Sequence, residues 1–304
     1  METQFKNLIE LHKYFNDENV CWDYLENLRW NNKIVCPFCK GEKHYKLKNS
    51  RTYKCSQCKK KFNAKVGTIF ENTKIPLSKW FVSIYLATSH KKGISSLQLS
   101  KDISVTQKTA WFILHRIREM LKAKAPYMLN SMVEVDETFI GGKEGYKHLS
   151  KRQKIVGYVN KTMVFAILQR QGNVWTKIVE GVSGDMLKQI IRKHIDKSST
   201  IVSDGFGAYA GLHKEYKKHQ IVNHEKNQWV KGELHTNTIE GFFSQLKRGI
   251  YGIYHHTSPK HLQRYCDEFA FRYNTRKINE SDRFDYSLLN CEKRLRYCEL
   301  INKN

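Results

Sequence analysis

Asp136, Asp204 and Glu240 lie in the stretches "VEVDETFIGG", "TIVSDG" and "HTNTIEGFFSQLKRGIYG", and Lys247 follows Glu240 by seven residues. Three carboxylates brought together supply hard oxygen ligands for divalent cations such as Mg2+ or Mn2+, whereas the same groups without a cation repel one another. Two such ions about 4 Å apart activate an attacking hydroxyl and stabilise the leaving oxygen of an in-line phosphoryl transfer. Lys247, two helical turns beyond Glu240, adds a point charge suited to a phosphate.

A second cluster suits a different cation. Cys36, Cys39, Cys55 and Cys58 are spaced C-x2-C-x15-C-x2-C in "CPFC" and "CSQC". Each pair spans a tight turn, and the intervening residues are enough for a hairpin that joins the pairs around one tetrahedral Zn2+. Four thiolates leave no open coordination position, so this zinc is expected to be structural. The flanking sequence mixes cations such as Lys43, Lys46, Lys48, Arg51 and Lys65 with Tyr45, Tyr53 and Phe62. That mixture suits phosphate contacts with occasional stacking on bases.

The elements that must position these groups are legible from periodicity. "MVEVDETFIGG" alternates Val133 and Val135 against Glu134 and Asp136, "TMVFAILQ" reads as a buried strand and "VWTKIVE" as another alternating one. A helix over about Asp185–Ile195 follows, then a short strand ending at Asp204 and a further one at "HQIVN". This order is that of a ribonuclease-H-like α/β domain, in which Asp136 and Asp204 can lie side by side. At 100° per residue, Ile239, Phe243, Leu246 and Ile250 fall on one stripe, and Asn237, Glu240, Ser244 and Lys247 on the stripe beside it. A purely structural account of the second stripe also exists: Asn237 as N-cap with Glu240 closing a capping box, and Gly249 ending the helix.

Upstream, "PLSKWFVSIYLATSH" reads as a buried helix with Pro76 at its first position. A short helix over Ser96–Lys101 and a longer one from about Thr106 to Leu121, capped by Ser104 or Thr106, have the form of a helix-turn-helix. The net charge of +24 calls for a polyanionic partner, nucleic acid before a membrane surface. The longest apolar run, near Val164–Leu168, is far short of the ~20 residues of a spanning helix. A cytoplasmic, nucleoid-associated protein is expected, with reduced cysteines.

The blocks "CPFC…CSQC", "FNAKVGTIFENTKIPLSKWF", "VEVDETFIGG", "VSDGFGAYAGL" and "HTNTIEGFFSQLKRGIYGIYHHTSPKHLQRYCDEFAFRYNTR" resemble bacterial insertion-sequence transposases of the ISXO-like branch, relatives of the Merlin elements. The resemblance implies a DDE transposase whose acidic triad and trailing lysine are Asp136, Asp204, Glu240 and Lys247. It further implies recognition of terminal inverted repeats in double-stranded DNA by the N-terminal modules, action on target DNA, and a homo-oligomer on DNA. The expected organisation is an N-terminal helical segment (1–30), the zinc ribbon (31–72), the helix-turn-helix (73–126), the ribonuclease-H-like catalytic domain (130–276) and a C-terminal tail (277–304). The rival reading is a catalytically silent zinc-ribbon and helix-turn-helix regulator. Asn237, His224 and His235 lie near the third carboxylate without an assigned role. His261-x-x-Arg264 with Tyr286 and Tyr297 has a spacing also used by tyrosine recombinases, but it would leave the carboxylates unexplained.

Overall fold

The computed structural model describes residues 5–31, 33–48, 50–122, 128–142, 148–151, 161–181, 183–222 and 234–302. The chain divides into two compact units, Met1–Leu121 with Lys277–Asn304, and Lys122–Arg276.

The first unit opens with helices α1 (Leu8–Tyr14) and α2 (Glu18–Trp30), each started by a side-chain cap, Asn7 and Asp17. Three short antiparallel strands follow, β1 (His44–Lys46), β2 (Tyr53–Cys55) and β3 (Lys61–Phe62). Tyr53 and Phe62 stack in the interior of this small sheet, so of the three aromatics expected to meet bases only Tyr45 is exposed. Arg51 and Lys65 are likewise turned inward, the first onto Asp23 and Asn19, the second over the Trp22 ring. Helix α3 (Leu77–Ser89) starts one residue after Pro76, whose ψ of 148° is extended, and the Glu18 carboxylate accepts the Leu77 and Ser78 N–H groups of its first turn.

Helices α4 (Ser96–Asp102) and α5 (Gln107–Met120) are capped by Ser95 and Thr106, and Ser104 occupies the left-handed region in the turn between them (φ 51°). The segment expected as a tail carries helices Glu280–Leu288 and Tyr297–Ile301 and belongs to this unit. Phe284 packs edge-on against Phe5 and Phe81, and buried Arg116 donates to the Ile69, Glu71 and Leu295 carbonyls.

The second unit is a five-stranded sheet built from β4 (Met132–Ile140), β5 (Thr162–Gln169), β6 (Val174–Val179), β7 (Thr200–Asp204) and β8 (Lys218–Val222), in the order β6-β5-β4-β7-β8. The β4/β5 and β5/β6 pairs are antiparallel, and β4/β7 and β7/β8 are parallel. This is the ribonuclease-H-like order, three consecutive strands and then two that return beside the first.

Both faces of the sheet are covered. Val133 and Val135 join Phe165, Ile167 and the Leu187–Ile191 stripe of α6 (Gly184–His194) in one core. On the opposite face Val164, Ala166 and Leu168 meet Ile239, Phe242, Phe243 and Leu246 of α7 (Asn237–Gly249) and Leu262, Cys266 and Phe269 of α8 (Pro259–Asn274). Side chains alternate along a strand, so Glu134 and Asp136 share the α7 face. The helical path does not stop at Gly249 but widens into a π-turn over Ile250–Tyr254. Buried Ile250 and the Tyr254 hydroxyl, which donates to Glu268 at 2.6 Å, hold this extra turn on the core. Among the described residues no helix is long and apolar enough to cross a membrane.

Candidate active site

The middle of β4, the end of β7 and one side of α7 border a cavity of about 370 Å3 lined by Asp136, Glu137, Thr138, Asp204, Glu240, Phe243, Ser244 and Lys247. All four residues singled out by type and spacing therefore meet at one place. Parallel pairing of β4 with β7 puts Asp204 beside the strand that carries Asp136, and packing of Ile239 and Leu246 on the sheet turns the neighbouring polar stripe toward them.

Glu137, which residue type and spacing did not single out, is a fourth carboxylate in this group. Asp136, Glu137 and Asp204 each offer an oxygen within 4.8 Å of the others, as the ligands of a cation do. The Tyr209 hydroxyl donates to Glu137. The Phe206 N–H donates to Asp204 Oδ1 at 3.0 Å, and the Glu137 N–H to Asp136 Oδ1 at 2.8 Å. The crowding has an electrostatic consequence: burial, followed by repulsion from Glu137, Asp204 and Glu240, pushes the Asp136 carboxyl up to about 8. Burial also raises Glu137, an effect the Tyr209 bond opposes and Asp204 reinforces. Four carboxylates gathered in one cavity are a set of oxygen donors of the kind divalent ions take.

The start of α7 differs from the expected capping box. The N-cap is Thr236, Asn237 is the exposed first helical residue, and no capping box forms. Instead Glu134, 0% exposed, reaches from β4 and accepts the Ile239 N–H at 2.9 Å. Arg170, at the end of β5, ion-pairs with Glu134 at 2.8 Å and donates to the His235 carbonyl at 2.7 Å. The Glu134 carboxylate thus caps the first turn, and Oε1 of Glu240 accepts from the Thr236 hydroxyl at 2.8 Å. The His235 ring lies 3.7 Å from Glu134 and is not part of the cavity lining. His224 lies outside the described residues. His261 and Arg264 contact each other on α8, while Tyr286 and Tyr297 belong to the other unit.

The four cysteines of the first unit also converge, with all four sulfurs within 4.8 Å of one another and separations of 3.7 Å for Cys36–Cys58 and 3.5 Å for Cys39–Cys55. A tetrahedron with Zn–S bonds of about 2.3 Å has edges of about 3.8 Å, so the group fits zinc. The two knuckles are built alike: the Lys40 and Lys59 N–H groups donate back to the Cys36 and Cys55 carbonyls, and both lysines have φ 61°. N–H groups of Cys58 and Gln57 favour the Cys55 thiolate, which is lowered to about 7.

The sequence profile of the ISXO2-like transposase domain matches residues 128–274, and that of the transposase zinc-ribbon domain matches residues 16–61. Residues 128–274 form an ISXO2-like transposase domain, and residues 16–61 a transposase zinc ribbon. An uncharacterized protein in transposable element ISH50 of Halobacterium salinarum is 28% identical over 253 residues, covering 78% of this transposase and 85% of the relative. Among solved structures, the Mos1 transposase paired-end complex with left transposon end aligns over 72% of this chain and 77% of its own at 14% identity, with a TM-score of 0.29. The Drosophila P element transposase strand transfer complex aligns over 67% and 58% at 11% identity, with a TM-score of 0.26. Superpositions this loose define no shared fold; the transposase's topology stands on its own strand order.

Proposed function

We propose that this transposase binds the terminal inverted repeats of an insertion sequence and carries out Mg2+-dependent DNA cleavage and strand transfer. The observation that carries the reading is the convergence of Asp136, Asp204, Glu240 and Lys247 on one cavity. Two divalent ions, Mg2+ or Mn2+, would supply activation of the attacking water or 3′-hydroxyl and stabilisation of the leaving oxygen. The chain's own part is to hold Asp136 and Asp204 on adjacent strands, with Glu240 facing them from α7, as the ligands of those ions. Lys247 holds a phosphate flanking the reacting one by charge alone.

The first unit supplies DNA contacts. Lys43, Lys46, Lys48, Lys59, Lys60 and Lys61 are exposed on the ribbon, and Thr106, Gln107 and Lys108 are exposed at the start of α5, where a recognition helix meets base edges. Cys36, Cys39, Cys55 and Cys58 hold one structural Zn2+ that fixes the ribbon. Catalysis proceeds within a homo-oligomer assembled on DNA.

The test is strand transfer with DNA duplexes carrying the element's ends, with Mg2+, for the wild type and Glu240→Gln. A folded, DNA-binding Glu240→Gln protein is expected to lose strand transfer. Full activity in that variant would mean that Glu240 is no metal ligand, whereas absence of strand transfer in the folded, DNA-binding wild type would favour the silent-regulator reading.

A further inference from the structure

We infer that Glu134 and Arg170 are positioning residues that fix where Glu240 stands relative to Asp136, an inference that rests on the metal-site reading above. Glu134 is fully buried on β4, two residues before Asp136 and on the same face of the strand. One of its oxygens takes the Ile239 N–H and the other the Arg170 Nε–H, each bond spanning a large sequence gap. Arg170 closes the circuit on the His235 carbonyl. Residues 235 and 239, on either side of Thr236, are thus both tied to one carboxylate and its partner.

Thr236 in turn donates its hydroxyl to Glu240. A chain of hydrogen bonds therefore runs from the strand that carries Asp136 to the side chain that faces it from α7. A buried carboxylate is costly, and an apolar residue with an ordinary Ser or Asp N-cap would start the helix at less expense. A local cap, however, fixes only the helix's own first turn. Glu134 fixes that turn to the metal strand, so the Asp136–Glu240 separation is set from a single strand. The Glu134 carboxylate also complements the positive end of α7 without entering the cavity, whose lining does not include it.

Removal of such an outer partner typically weakens metal binding about 10- to 100-fold. The experiment measures Mn2+ affinity by isothermal titration calorimetry on the full-length, zinc-loaded protein, with folding checked by circular dichroism and thermal melting. Wild type, Glu134→Gln, Glu240→Gln, the double variant and Thr236→Val are compared. The expected result is a roughly tenfold or greater loss of Mn2+ affinity in folded Glu134→Gln. In the double variant the Glu134→Gln effect should vanish, with binding no weaker than in Glu240→Gln alone, because the two act as one unit.

A role confined to stability would lower the melting temperature and leave Mn2+ affinity unchanged, which overturns the inference. So does a Glu134→Gln loss that persists undiminished in the Glu240→Gln background. Should Glu134→Gln fail to fold, Thr236→Val carries the test, and wild-type Mn2+ affinity in that variant overturns the hydrogen-bonded path. Unchanged affinity in Glu240→Gln would instead refute the metal-site reading, so the two failures are distinguishable.

Discussion

Glu134 and Asp136 stand two residues apart on one face of β4, yet do opposite jobs: Glu134 caps α7 from within the protein, and Asp136 lines the cavity that α7 helps enclose. Their shared strand face makes helix placement and site geometry one problem, and the crowding of carboxylates there predicts a dependence on pH and on divalent metal.

Asp136 is an acid whose folded-state carboxyl is raised from 3.8 to about 8. The folded protein therefore holds a proton that the unfolded chain has released. Stability of the metal-free protein is fullest below pH 3.8 as far as this group is concerned and is lost as pH rises toward 8. A divalent ion must displace the same proton, so apparent Mn2+ affinity should rise by about tenfold per pH unit up to the raised carboxyl's range. Calorimetry in buffers of differing ionisation enthalpy counts the proton released. A pH-independent affinity from about pH 6 to about pH 8 would contradict this account of Asp136.

Tyr209→Phe removes the donor that opposes the rise of Glu137 and leaves the ring in the core. Glu137 should then titrate higher, and the variant should bind Mn2+ several-fold more weakly at neutral pH, toward the lower end of what removal of an outer partner typically costs. A thermal melt close to wild type together with unchanged Mn2+ affinity would count against a role for Glu137 beside Asp136 and Asp204.

Native mass spectrometry of metal-replete protein should find one Zn2+ per chain, and Cys36→Ser should lose it. Because the ribbon's strands are only two or three residues long, a ribbon that depends on zinc should unfold when the metal is removed. Retention of a folded ribbon in a chelated protein would remove the structural role from the ion.

Phe284→Ala should destabilise the first unit by about 3–5 kcal/mol, the range for large-to-small changes at a fully buried aromatic. Chemical denaturation followed by far-UV circular dichroism reads this directly. An effect below about 1 kcal/mol would mean that residues 277–304 are an appendage and not part of the core.

Binding to element-end DNA should weaken steeply with salt, since log K falls by about 0.9 for each phosphate neutralised. Charge reversal at exposed Lys46 and Lys60 should lower that slope by roughly one unit for each phosphate left without its lysine, whereas Arg51, already engaged by Asp23, should change it little. A slope near zero for the wild type would leave the +24 charge unexplained.

The sequence by itself determined which carboxylates and cysteines come together and the elements that carry them. Cysteine spacing states its chemistry locally, because two thiols three positions apart already form half a site. The strand order and the stripe Ile239, Phe243, Leu246 and Ile250 likewise follow from periods of about 2 and 3.6, which sequence displays directly. From these the meeting of Asp136, Asp204, Glu240 and Lys247 could be anticipated. Tertiary structure alone decided which polar residues point inward. Glu134 is only the polar half of an alternating strand until α7 covers that face, and Glu137 lines the cavity with its carboxylate bonded by the distant Tyr209 hydroxyl. Residues 277–304 are part of a core because Phe284 finds its partners in segments as distant along the chain as Phe5 and Phe81. Long-range pairing of this kind leaves no periodic trace, since what fixes such a residue is the identity of a distant neighbour and not the spacing of its own segment.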